Sequence, residues 1–208
     1  ISPDPNLSID EIGVPMKICK EVTYPRLVTE ENLEEMKQYV RNGFDDVYPA
    51  AKRIHYDGFA GIESPFKLDR KTRQRISEAW KEKYIEDLSP GVVVHVNLLE
   101  GDICLFNRAP SLHRQSIMAF RVRPVPSKTL SFNPTVCIPF NADYDGDAMK
   151  AHFIQSEVAK AEAEKLMLLT KNIIHARYGK LTVATDQDQT SGLYLLTYTD
   201  KNRRNTWD

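Results

Sequence analysis

A chain of 208 residues, 41% apolar and 27% charged, has the length for one large domain, or one domain and the start of another, and can bury a core without staples. Its formal net charge of −1 sets it apart from domains whose overall basicity alone marks a nucleic-acid partner. No apolar run approaches the ~18 residues of a membrane-spanning helix, and the start carries no secretory signal. Cys19, Cys104 and Cys137 stand far apart with no C-x-x-C pair, which argues against a zinc ribbon or a disulfide framework and predicts reduced, mostly buried thiols. Ile1 is not an initiator methionine, and the turn-rich opening Ser2-Pro3-Asp4-Pro5-Asn6 points to a piece of something longer.

Residues 1–28 contain Pro3, Pro5, Pro15 and Pro25, which predict extended segments and turns. Thr29 to Asn42 reads as a helix: Thr29 as N-cap, Glu30 and Glu31 in the first turn, Leu33, Met36 and Val40 along one face, and Gly43 closing it. A second helix is expected over 71–87, with Ile76, Trp80 and Tyr84 on one side. From Gly91 the texture turns to short β-rich runs: Val92–Val96, Asp102–Phe106, Ile117–Arg123 (stopping before Pro124), Thr129–Phe132 and Val136–Phe140. Several short strands with frequent turn signals suggest a compact β-barrel. Ser156 then caps an Ala/Glu/Lys-rich helix running to about Leu169, with Ala159, Ala163 and Leu166 on one side. Residues 185–197 begin as a polar loop and end helical. The expected class is therefore α+β, divided into an extended and helical part (1–90), a strand-rich part (91–155) and a helical part (156–208).

Charge is unevenly spread. Residues 101–130 carry Arg108, Arg114, Arg121, Arg123 and Lys128 against a lone Asp102, and Asp143, Asp145 and Asp147 follow. A cationic segment feeding an acidic cluster suits phosphate chemistry on a metal. In Asn141-Ala142-Asp143-Tyr144-Asp145-Gly146-Asp147 the backbone decides what the carboxylates can do. On a straight strand, alternate residues stand roughly 6.5–7 Å apart, awkward for one ion at about 2.1 Å. On a helix, residues two apart do not face each other. A curled loop converges them most easily, and Gly146 supplies the freedom to bend. Such a trio repels itself unless a divalent cation neutralises it, and an all-oxygen set with open water positions suits Mg²⁺. An isolated D-x-D is more often a solvated acidic turn. An EF-hand fails on position, because its glycine comes sixth and Gly146 is fourth counting from Asp143. Apolar flanks (Cys137 to Phe140, Phe153 and Ile154) hang the loop between buried segments and favour metal binding.

The heptapeptide resembles the N-A-D-F-D-G-D signature of the largest subunit of DNA-directed RNA polymerases, with Tyr144 in place of the usual Phe. RNA-silencing RNA-dependent polymerases carry a degenerate D-x-D-G-D, but the flanks separate the two. Phe106-Asn107-Arg108-Ala109-Pro110-Ser111-Leu112-His113-Arg114 is similar to the family's F-N-R-x-P-S-L-H-R segment, and Ser116-Ile117-Met118-Ala119 continues it. Ile1 to Ser8 reads like the archaeal and eukaryotic version, and Gln187-Asp188 with Gly192-Leu193-Tyr194 resembles the family's Q-D-x-x-x-G-x-Y element.

The resemblance implies a double-psi β-barrel over 91–155, flanking helices, and the start of a pore-lining region after it. It implies that Asp143, Asp145 and Asp147 hold the catalytic Mg²⁺, with a second Mg²⁺ arriving with the nucleotide. Arg108 and Asn141 match positions that read the ribose hydroxyls of the incoming nucleoside triphosphate. The competing readings are a buried structural arginine for Arg108 and a side chain that pins the loop's own backbone for Asn141. His113 and Arg114 either meet the nucleic-acid backbone or brace the barrel; bracing is favoured for His113. The implied partners are the second-largest subunit and other polymerase subunits, the DNA template and the RNA transcript, with no membrane. The implied compartment is the cytoplasm for an archaeal-type enzyme and the nucleus for a eukaryotic one. Departures from the archaeal pattern fall at Ala109, Ala148, Lys150, Ala151, Phe153 and Ile154, and none removes a proposed metal ligand. A non-catalytic assembly module is the alternative reading.

Overall fold

The computed structural model describes residues 1–45, 47–55, 66–67, 82–83, 85–175, 177–185 and 188–198. In chain order the strands and α-helices are β1 (Ser2–Pro3), β2 (Glu11–Pro15), α1 (Met16–Glu21), β3 (Thr23–Leu27), α2 (Leu33–Asp45), β4 (Ala51–His55), β5 (Phe66–Lys67), β6 (Val93–Asn97), β7 (Ile103–Asn107), β8 (Ile117–Val125), β9 (Ser131–Phe132), α3 (Cys137–Phe140), β10 (Lys150–Phe153), α4 (Glu157–Glu162) and α5 (Asp188–Thr197). The class is mixed α+β, with two sheets and flanking helices. One sheet has the order β1-β9-β2-β8-β7-β10, and no pairing among the described residues joins its two ends. The other has the order β3-β6-β4-β5.

Strand β8 is the spine of the six-stranded sheet. It runs parallel to β2 on one side and antiparallel to β7 on the other, and β10 adds antiparallel to β7. Its far end corrects one expectation: β8 passes through Pro124, which pairs with Val14. The β7 pairing ends at Ile103 opposite Arg121, so Pro124 has a strand on one side only, the position where a missing N–H is tolerated. Strand β6, grouped by texture with the strands after it, instead lies between β3 and β4 in the second sheet.

Helix α2 confirms the apolar stripe, burying Met36, Val40 and Phe44, but it starts at Leu33 rather than after Thr29 and runs past Gly43. Asn32 Oδ1 accepts the Thr29 N–H at 2.8 Å and its amide donates to Leu27 O, tying residues 29–32 into a turn ahead of the helix. Of the expected 71–87 helix, residues 82–83 and 85–86 are helical, and Ile76, Trp80 and Tyr84 lie outside the described residues. The expected Val136–Phe140 strand is helical. Asn133 caps a 3₁₀ turn over Pro134–Val136 by accepting the Thr135 N–H, with Pro134 preset at its first position, and α3 continues directly. The Ser156 helix forms as α4, yet a π turn over Ala163–Met167 alters its phase, so Ala163 is buried while Ala159 and Leu166 are exposed.

The larger core holds an aromatic cluster. Phe106 meets Phe120, Phe132 and Phe140 at centroid distances of 5.9, 5.4 and 5.6 Å, all edge-on, and all four rings are buried. Such pairs contribute about 0.5–1.5 kcal/mol each beyond simple burial. The cysteines are free thiols, with Cys19 and Cys104 buried; burial pushes Cys104 up to about 12. The two sheets are joined by the buried Asp102, which accepts Arg26 Nη2 of β3 at 2.6 Å and the Leu99 N–H at 2.7 Å.

Gly13 lets β2 approach β9: a Cβ there would lie 2.2 Å from Ser131 Oγ and 3.2 Å from Leu7 and Val125. Gly13→Ala is expected to cost about 1–3 kcal/mol of stability in denaturant unfolding, with part recovered by adding Ser131→Ala. Phe106→Ala is expected to cost about 3–5 kcal/mol by the same measurement.

Candidate functional site

The loop after α3 is shaped by its two ends. Asn141 turns the chain out of α3 in the left-handed region (φ 47°), a conformation Asn tolerates, and the Asn141 and Ala142 N–H groups donate back to Ile138 O and Cys137 O. Gly146 has φ +126°, open to glycine and strained for any other residue, which bends the loop back towards β10. Between these points Tyr144 turns inward. Its ring lies 5.6 Å from Phe132, half-buried, and burial raises its hydroxyl pKa far above the ordinary range. Tyr144 is thus the loop's anchor to the aromatic cluster. The chemical motif alone did not mark it, although an aromatic residue between two aspartates was the available signal.

Strand register brings the arginine in. Asn107 at the end of β7 pairs with Lys150 at the start of β10, so the residue after β7 emerges beside the acidic loop. Arg108 Nε donates to Asp147 Oδ2 at 2.8 Å, and the Asp143 N–H donates to the same oxygen at 3.0 Å. The Arg108 hydrogen bond first, and the Asp143 N–H second, hold the Asp147 carboxyl below the usual carboxylate range. Asp143 Oδ1 accepts the Tyr144 N–H at 2.8 Å. Asp145 is exposed at the tip, with no hydrogen bond or ion pair among the described residues.

Asn141 and Asp143 border a cleft of about 410 Å³ whose other walls include Pro3, Cys137 and, from the start of α5, Asp188 and Gln189. Asp188 belonged to a quoted motif, but nothing local indicated that it would face this loop. Arg114 is placed elsewhere: its Nη2 donates to Asn172 Oδ1 at 2.6 Å, and the Asn172 amide donates to Leu166 O and Leu168 O. His113 Nδ1 lies 3.4 Å from Ser116 Oγ.

Among the described residues no three histidine, cysteine or carboxylate side chains are arranged to hold a metal ion. The donor set nonetheless has the chemistry of a hard-cation site, being all oxygen and strongly anionic. Asp147 Oδ1, Asp143 Oδ2 and both Asp145 oxygens take no hydrogen bond among the described residues.

The family model described as RNA polymerase Rpb1, domain 2, matches residues 1–169, and the chain belongs to that family. It is 47% identical over 198 residues to DNA-directed RNA polymerase subunit Rpo1N of Methanothermobacter thermautotrophicus, covering 95% of this chain and 21% of that protein. It is 45% identical over 196 residues to Rpo1N of Sulfolobus acidocaldarius, covering 94% and 21%. It is 44% identical over 200 residues to DNA-directed RNA polymerase III subunit rpc1 of Dictyostelium discoideum, covering 96% and 13%. The chain thus spans about a fifth or less of the relatives it matches.

Because Arg108 lowers the Asp147 pKa, the ion pair contributes in full above the ordinary carboxylate pKa of about 3.9 and is lost as pH falls through the depressed value. In Arg108→Met the Asp147 midpoint is expected to rise towards that ordinary value, read by carboxyl-carbon NMR titration.

Proposed function

We propose that this chain is the catalytic-centre segment of a multisubunit DNA-directed RNA polymerase, extending the RNA 3′ end by template-directed nucleotidyl transfer. The observation that carries this reading is the Asp143-Tyr144-Asp145-Gly146-Asp147 loop, anchored through Tyr144 and faced by Arg108, in a chain of the Rpb1 domain 2 family. The six-stranded sheet fits a double-psi β-barrel: parallel β2–β8 and β1–β9 pairs joined by antiparallel neighbours are an arrangement a simple meander does not give. Residues 91–155 form most of that barrel in this reading, with 156–208 starting the pore-lining region.

Asp143, Asp145 and Asp147 would hold Mg²⁺ through their oxygens, one or more of them sharing a second ion. When bound, the two ions lower the pKa of the RNA 3′-hydroxyl and offset charge on the leaving pyrophosphate. The chain's own part is positioning. The loop sets three carboxylates on one bend, and Arg108 offers a planar, permanently charged donor fork to the nucleotide's ribose hydroxyls or phosphate. Asn141, exposed at the cleft, adds an amide donor and acceptor for the same hydroxyls. The partners are the second-largest subunit and its companions, DNA template, RNA transcript and nucleoside triphosphates. The compartment is the archaeal cytoplasm or the eukaryotic nucleus. Among the described residues no helix is long and apolar enough to cross a membrane.

The Arg108–Asp147 pair also suits an assembly module whose loop is braced and has no catalytic part. Primer extension by the assembled polymerase separates the two readings. Asp145→Asn, which breaks no bond of the fold, is expected to lower the rate at least about a thousandfold, the scale of a metal-stabilised charge. Extension at the wild-type rate would select the assembly module. The isolated chain, lacking the partner subunit's contribution, is expected to add no nucleotide to a primed template.

A further inference from the structure

Cys137, the first residue of α3, holds the acidic loop at two points. Its carbonyl oxygen accepts the Ala142 N–H at 3.1 Å, and its thiol shares a hydrogen bond with the Tyr144 hydroxyl. That hydroxyl also donates to Phe132 O of β9 at 3.4 Å. Asp143 stands between the two held residues, its Oδ1 accepting the Tyr144 N–H at 2.8 Å. Asp147 is held from elsewhere, by Arg108 and by the Asp143 N–H.

Tyr144 is half-buried, while Asp143 and Asp145 on either side are exposed. The three are consecutive, so the backbone torsions that seat the ring against Phe132 also aim its neighbours at solvent. Ring packing alone leaves that setting loose, because apolar burial has no preferred direction, whereas a hydrogen bond weakens steeply away from its axis. The hydroxyl bonds to two different elements, β9 and α3, and so fixes both the depth and the twist of the ring. Burial first, and the Cys137 bond second, raise its pKa far above the ordinary phenol range, which leaves it protonated at any working pH.

Carboxylates preset around an ion bind it more tightly than ones that must first be ordered. We propose that Tyr144 is a positioning residue for the cation site: its hydroxyl, tied to Cys137 and to Phe132 O, fixes the outward setting of Asp143 and Asp145 and so determines how tightly the loop takes a divalent cation. The proposal rests on the reading of the loop as a metal-holding catalytic segment. It adds to that reading a side chain that touches neither metal nor nucleotide.

The assembled polymerase carrying Tyr144→Phe, Cys137→Ala or both tests it. Tyr144→Phe keeps the ring contact, and thermal unfolding confirms that each variant is folded. Two readouts need no catalysis: amide hydrogen exchange over residues 142–147, and Mn²⁺ titration followed by electron paramagnetic resonance at the site that Asp145→Asn removes. Tyr144→Phe is expected to speed loop exchange and weaken Mn²⁺ binding about two- to tenfold each, the size of one net hydrogen bond, with exchange over residues 104–107 unchanged. The double variant is expected to be no worse than Tyr144→Phe, because a shared bond is lost only once. In primer extension the Mg²⁺ concentration for half-maximal rate is expected to rise by the same factor, more than the rate at saturating Mg²⁺ falls. Wild-type Mn²⁺ affinity and loop exchange in folded Tyr144→Phe, even with a lowered unfolding midpoint, would overturn the proposal, as would losses that add in the double variant. Normal primer extension by Asp145→Asn removes the catalytic reading and this proposal with it. Loss of extension there, with Mn²⁺ affinity untouched in Tyr144→Phe, removes the positioning role alone.

Discussion

The antiparallel pairing of β7 with β10 is the constraint on which the rest of the site depends. Residues 104–107 and 150–153 are far apart in sequence, and only their ladder sets the end of one beside the start of the other. Because a register slip of one residue would reverse every side chain, the burial of Cys104 and Phe106 beneath this pair also fixes where Arg108 emerges. The 2.8 Å contact between Arg108 and Asp147 follows from that register.

The aromatic cluster carries the same logic into the loop. Phe132 packs on Phe106 and Phe140 on one side and on Tyr144 on the other, so the acidic segment is attached to the core by a ring while its carboxylates face outward. Three acidic groups in so short a span repel one another. The structure meets that strain locally: Asp147 takes two donors, Asp143 takes its neighbour's N–H, and Asp145 is left to solvent. Order in the backbone thus coexists with carboxylate oxygen atoms that take no hydrogen bond among the described residues.

The second sheet and the segment after β10 support this arrangement from outside. Asp102 and Arg26 tie β3 to the turn before β7, and the Tyr24 hydroxyl donates to Glu157 of α4 at 2.7 Å. Arg114 and Asn172 make a comparable tie on the other flank. Each joins elements distant in sequence through a charged or polar pair with one buried member, Asp102, Tyr24 or Asn172, whose polar group would cost free energy if left without a partner.

Much of this was legible from residue order alone. The α+β class, the amphipathic stripe of α2, most of the short strands and the acidic heptapeptide all declare themselves through local periodicity, turn chemistry and charge spacing, because those signals act within a few residues. Local pattern failed where a long-range partner overrode it. Pro124 stays in a strand because β2 flanks it on one side alone, and residues 136–140 coil because Asn133 and Pro134 start a turn that apolar composition cannot reveal. The destination of Arg114 and the inward turn of Tyr144 were likewise settled only in three dimensions. Spacing along a chain specifies which chemistry is available; register and packing between remote segments specify which groups meet, since those contacts arise from burial shared by the whole core.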